Sequence, residues 1–173
     1  NKPVAIIPNC AATRHTHFVL DGSGPAQLEA PDINDWPNIT WEVGDSVRRV
    51  DLNTVTAEDV KAWKTGETIL LSGKMLTGRD AAHKRIQDML AKGEKLPVDF
   101  SNRVIYYLGP VDPVRDEVVG PAGPTTATRM DKFTEMMLSH TGLISMIGKA
   151  ESGPVAIEAI RKHKSAYLMA VGG

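Results

Sequence analysis

Three cations, Arg79, Arg129 and Lys149, each follow a stretch that reads as a strand. Arg79 follows Thr77-Gly78, at a point where a β element gives way to a helix. The segment Gly123-Pro124-Thr125-Thr126-Ala127-Thr128-Arg129 makes the same transition after an apolar strand and its loop, and Gly148-Lys149 directly follows another strand. All three cations thus lie beyond strand carboxyl ends, the edge at which open α/β sheets hold ligands. Helix starts there add unpaired N–H groups and a partial positive charge. A cation inside a first helical turn, as Arg129 would be, opposes the helix dipole unless an anion is close. Thr125 and Thr126 can cap the helix or reach a ligand with a hydroxyl. Two guanidinium groups each grip a carboxylate through two bonds, and a lysine adds a point charge. The chemistry called for is binding of a small anion with two carboxylates. The bland alternative is that Arg79 and Arg129 pair on the surface with Asp80, Asp131 or Glu135.

The elements that must position these residues are legible from residue 67 onward. Thr68–Leu71 and Val104–Leu108 read as strands, as do Leu143–Ile147 and Ala166–Val171. Helices are expected from Asp80 to Lys92, from Thr126 to Ser139 and from Pro154 to His163, on apolar residues at helical spacing. This alternation predicts an α/β architecture with parallel strands. Residues 1–66 read as irregular, with short β-like pieces at Val4–Ile7, His15–Leu20 and Ile39–Val43 between turn signals.

The 173 residues carry a net charge of −1, which gives no basic excess for nucleic acid or an anionic membrane. No apolar run is long enough to span a bilayer. The single cysteine, Cys10, rules out an internal disulfide, fits a reducing compartment, and cannot complete a cysteine metal site unaided. The start at Asn1-Lys2-Pro3 is expected to be the interior of a longer polypeptide, and the end at Gly172-Gly173 to be a cut.

Gly120-Pro121-Ala122-Gly123-Pro124-Thr125-Thr126-Ala127-Thr128-Arg129-Met130-Asp131 resembles the GPTTxxRMD signature of class I, iron–sulfur-dependent fumarate hydratases. Thr77-Gly78-Arg79-Asp80-Ala81-Ala82-His83, Ile105 to Pro110, Gly148-Lys149, Tyr167-Leu168 and Gly172-Gly173 follow in family order. The β chain of L-tartrate dehydratase belongs to the same superfamily. The resemblance implies a swivelling three-layer β/β/α domain over residues 31–173, with residues 1–30 as the tail of a preceding cluster-binding domain. It implies a hydro-lyase that hydrates fumarate to (S)-malate, complete only with that N-terminal domain, and a cytoplasmic homodimer. A [4Fe–4S] cluster held by three cysteines would leave one iron open as a Lewis acid. Arg79, Arg129 and Lys149 match the substrate-binding cations, beside Thr126. Thr125 matches the threonine that works with an aspartate of the other domain on the C3 proton. Asp80 and His83 stand behind these residues, and His83 is expected to orient Asp80 or a neighbour. Cys10 sits where one cluster ligand is expected. Two competing readings are an L-tartrate dehydratase β-type chain and a non-catalytic dicarboxylate-binding module.

Other motifs carry less. His15-Thr16-His17 puts two imidazoles on one strand face with no third ligand nearby. His140 and His163 lie near helix C-termini, where histidine is structurally favourable. The prolines of Gly120–Pro124 remove N–H groups that a phosphate loop would need. Lys84-Arg85 and Arg161–Lys164 read as solvated helix surface.

Overall fold

The computed structural model describes residues 22, 44, 46–113, 116, 118–120, 122–123 and 126–170. The chain divides after Gly44, and the elements below all belong to Asp45–Gly173. The expected strands at Val4–Ile7, His15–Leu20 and Ile39–Val43, the His15/His17 pair, Cys10 and Thr125 lie outside the described residues.

Four strands form one fully parallel sheet: β3 (Leu76–Thr77), β4 (Val104–Tyr106), β5 (Ser145–Gly148) and β6 (Ala166–Met169), in the order β3-β4-β5-β6. Each strand pairs with the next in sequence, with Leu76 opposite Ile105, Ile105 opposite Met146 and Met146 opposite Tyr167. Parallel neighbours require crossovers, and crossovers of one hand in one direction put every connecting helix on one face. The helices are α2 (Asp80–Ala91), α3 (Asp131–His140) and α4 (Pro154–His163). Their buried residues, among them Ile86, Phe133, Met137 and Ala159, pack in one core with Ile105, Tyr107 and Met146 of the sheet.

The strand residues alternate with period two. Val104 and Ile147 join a second core, against which Tyr106, Ala166 and Leu168 pack. That core also holds Leu52, Val55 and Val60, from a unit built of β1 (Arg48–Asp51), α1 (Ala57–Lys61) and β2 (Ile69–Ser72). β1 and β2 form their own parallel pair. The sheet is therefore apolar on both faces, as parallel sheets are.

The structure corrects the reading of residues 1–66 as irregular, because β1 and α1 lie inside that range. α1 opens on a capping box in which Thr56 and Asp59 satisfy each other's backbone N–H. The helix expected from Thr126 is also revised. Thr126 makes a parallel bridge to Lys149, Thr128–Met130 form a 3-10 turn, and the α-helix begins at Asp131. α4 agrees with expectation at both ends, with Pro154 in its first turn and Lys164 closing it at φ 51°.

Candidate dicarboxylate site

All four strands of the main sheet run the same way, so their carboxyl ends share one edge. Three of the helices start at that edge. Arg79 is the N-cap of α2, in extended conformation with no side-chain cap, and Lys149 follows the last residue of β5. The bridge between Thr126 and Lys149 ties the segment leading into α3 to the same edge. Arg129, in the 3-10 turn, brings Nη2 to 3.6 Å from Asp80 Oδ2, the residue after Arg79. The three cations read from the sequence are thus brought to one edge by topology, although Arg79 and Lys149 lie 70 positions apart.

Their electrostatic state suits anion capture. The Arg129–Asp80 pair is long, with the two side chains 59% and 40% exposed. Such a pair contributes on the order of 0–1 kcal/mol, so a carboxylate ligand can displace it at little cost. Among the described residues, Arg79 and Lys149 make no ion pair at all. Among the described residues, the starts of α2, the 3-10 turn and α4 make no side-chain cap hydrogen bond. α1 is fully capped. Thr126 is exposed and caps nothing; Ala127, fully buried, is the residue at the head of the 3-10 turn.

Behind Arg79 the packing is tight. Gly78 is buried, its N–H bonded to the Tyr106 carbonyl at 3.1 Å, and a Cβ there would lie 3.3 Å from Ile105 Cδ1. His83 is completely buried. Its backbone N–H and its Nδ1 both reach the Arg79 carbonyl, at 3.0 Å each. A carbonyl only accepts, so Nδ1 carries the proton and Nε2 holds a lone pair with no partner among the described residues. The ring is flanked by Tyr107 at 5.5 Å and Phe133 at 5.6 Å. Burial pushes the imidazole below its ordinary value of 6.5, and the Arg79 carbonyl and Asp80 only partly oppose this. His83 is therefore neutral and anchors the backbone of Arg79 rather than Asp80. Tyr107 is also buried, and burial is the chief cause that drives its hydroxyl upward.

The shallow concavity along α2 is lined by Lys84, Arg85, Asp88 and Lys92 and contains none of the residues above. Lys84 there pairs with Asp88 on the open helix surface. Among the described residues no group of three or more His, Cys, Asp or Glu side chains is placed to hold a metal ion, and no helix is long and apolar enough to cross a membrane.

The family model described as Fumarase C-terminus matches residues 22–173. The chain belongs to that family. Over 180 residues it is 31% identical to fumarate hydratase 2 of Leishmania major, covering 99% of this chain and 31% of that protein. It is 30% identical over 179 residues to the anaerobic class I fumarate hydratase of Escherichia coli, covering 99% of this chain and 32% of the relative. A protein of Methanocaldococcus jannaschii, provisionally named L(+)-tartrate dehydratase subunit beta, is 37% identical over 123 residues, 70% of this chain and 63% of its own length. The chain thus spans about a third of the length of these fumarate hydratases. The fumarase C-terminus match takes in the whole four-stranded sheet and the three cations at its edge.

Proposed function

We propose that this chain supplies the dicarboxylate-binding half of a hydro-lyase that reversibly hydrates fumarate to (S)-malate. The observation that carries the reading is the convergence of Arg79, Arg129, Lys149 and Thr126 on one edge of a parallel sheet, among uncapped helix starts. Two guanidinium groups and an ammonium match two carboxylates in charge and donor geometry. Holding both carboxylates fixes the plane of a trans alkene, so that water and a proton are delivered to defined carbons. Thr125 is proposed to handle the proton at C3. A hydroxyl is a poor base alone, so a carboxylate from a second domain must assist it.

The family resemblance adds a [4Fe–4S] cluster. The described residues do not fit one, and the chain's lone cysteine, Cys10, can give at most a single thiolate. The remaining ligands belong to an N-terminal domain, the proposed partner of this one. The finer architecture goes with this reading: a swivelling three-layer β/β/α domain in a cytoplasmic homodimer.

A second reading rests on the Methanocaldococcus jannaschii relative. L-tartrate also carries two carboxylates, and the same cations would serve its dehydration. The test is an anaerobic assay of this chain joined to an iron–sulfur domain with reconstituted cluster, offered fumarate and L-tartrate side by side. Turnover of fumarate, with this chain alone inert, is the expected result. Turnover of tartrate alone moves the protein to the second reading, and turnover of neither refutes both.

A further inference from the structure

Lys149 leaves β5 into a turn that is held with unusual care. Ala150 has φ 62°, a left-handed conformation costly for a residue with a Cβ. The carbonyl of Ala150 accepts a hydrogen bond from the Tyr167 hydroxyl at 2.9 Å. The N–H of Gly153 donates to Asp131 Oδ2 at the start of α3. Lys149 itself is bridged to Thr126. Lys149, Ala150 and Gly153 are therefore each tied to a neighbouring element.

Tyr167 reaches the turn only because position 148 lacks a side chain. A Cβ on Gly148 would lie 2.5 Å from the Tyr167 hydroxyl and 2.8 Å from Ala127 Cβ. The first clash has no cheap escape, since the phenol is fixed at both ends, by strand β6 and by its bond to Ala150. The glycine of Gly148-Lys149 is thus explained by what it admits.

We infer that Tyr167 is a positioning residue for Lys149: its hydroxyl, admitted by Gly148, holds the turn at Ala150 and so fixes the backbone from which Lys149 presents its ammonium to the dicarboxylate. This rests on the proposed function, deepens it by adding a residue that does not touch the ligand, and is separable from it by experiment. Removing the hydroxyl frees the Ala150 carbonyl and lets Ala150 relax from its left-handed conformation, carrying Lys149 with it. A lost hydrogen bond that organises a charged ligand contact corresponds to a weakening of about tenfold.

The test is a succinate titration of the full chain, followed by amide chemical shifts, for wild type, Tyr167→Phe, Gly148→Ala, Lys149→Met and the double variant Tyr167→Phe/Lys149→Met. Tyr167→Phe keeps the ring, so its fold is checked by the unchanged shifts of the core amides. The expected result is that Tyr167→Phe weakens succinate about tenfold, that Gly148→Ala has a similar effect, and that Tyr167→Phe adds no loss when Lys149 is already Met. A purely structural tyrosine would lower the melting temperature yet leave succinate affinity unchanged, or would cost the same in both backgrounds; either overturns the inference. If Lys149→Met itself leaves affinity intact, the dicarboxylate reading of Lys149 fails, and the inference with it.

Discussion

Replacing His83 separates the stability of this domain from its proposed function, because the two respond in opposite directions. The native imidazole makes one side-chain hydrogen bond, from Nδ1 to the Arg79 carbonyl, and buries an acceptor, Nε2, that no described residue satisfies. In His83→Leu the lost bond costs about 1 kcal/mol, and removal of the unpaired acceptor returns about 1–3 kcal/mol. The Arg79 carbonyl keeps the backbone N–H of residue 83, so it is not orphaned. Leucine is of similar size and belongs in the apolar surroundings of Tyr107 and Phe133. At pH 8 the variant is expected to be between about equal to wild type and ~2 kcal/mol more stable. Acid widens the gap. The folded imidazole titrates below the ordinary 6.5, so below that pH the unfolded chain binds a proton that the folded chain refuses. Wild-type stability then rises with pH through this window and falls as pH is lowered, by at most about 1.4 kcal/mol per pH unit. By pH 5 the deficit reaches up to about 2 kcal/mol, and His83→Leu lacks it. Urea unfolding of both proteins at pH 5, 6, 7 and 8 measures the difference. His83→Asn, whose amide nitrogen can stand near the place of Nδ1, should keep the hold on Arg79 and preserve succinate affinity, whereas His83→Leu should weaken it severalfold. Parallel stability curves for wild type and His83→Leu would refute the buried, neutral assignment.

Other variants probe the remaining parts. Arg129→Met should shift stability by no more than ~0.5 kcal/mol, since it breaks only a long exposed pair. It should weaken succinate by roughly 10- to 100-fold through loss of a charge-assisted contact, with Arg129→Lys falling between; calorimetry measures the affinity and thermal melting the stability. Thr56→Ala removes the α1 capping box and should cost about 1 kcal/mol by urea unfolding while leaving succinate affinity untouched. Met137→Ala, at a position with no exposure, should cost about 2–5 kcal/mol in the same unfolding assay.

The helical half of the sheet was the readable part of the sequence. α4 carries its own punctuation, with Gly153-Pro154 at the start and Lys164 at the end, so its limits were visible locally. α2 was likewise marked by apolar spacing that stops at Gly93. β1 is not legible in the sequence because Arg48-Arg49-Val50-Asp51 lacks an apolar strand pattern, and its pairing with Ile69–Ser72 is not a local property. The Thr56-to-Asp59 spacing of the capping box was the available signal for α1. At the site, the three cations were identifiable from their places after strands. The sequence did not reveal that Thr126 bridges Lys149, which draws the α3 segment out of helix for two residues before the 3-10 turn. Nor did it reveal the role of Tyr167, whose contact with Ala150 spans 17 positions and depends on a side chain missing from Gly148.

Arg79, Arg129 and Lys149 are proposed to form one site for one dicarboxylate. The most direct test is the titration of this chain with succinate, read at backbone amides and repeated with propionate as a single-carboxylate control. Saturable shifts confined to residues 78–80, 126–129 and 148–153 are expected, with succinate bound more tightly than propionate and each cation variant weakening it. Absence of saturable binding, equal affinity for the two acids, or shifts clustered along the exposed face of α2 would contradict the proposal.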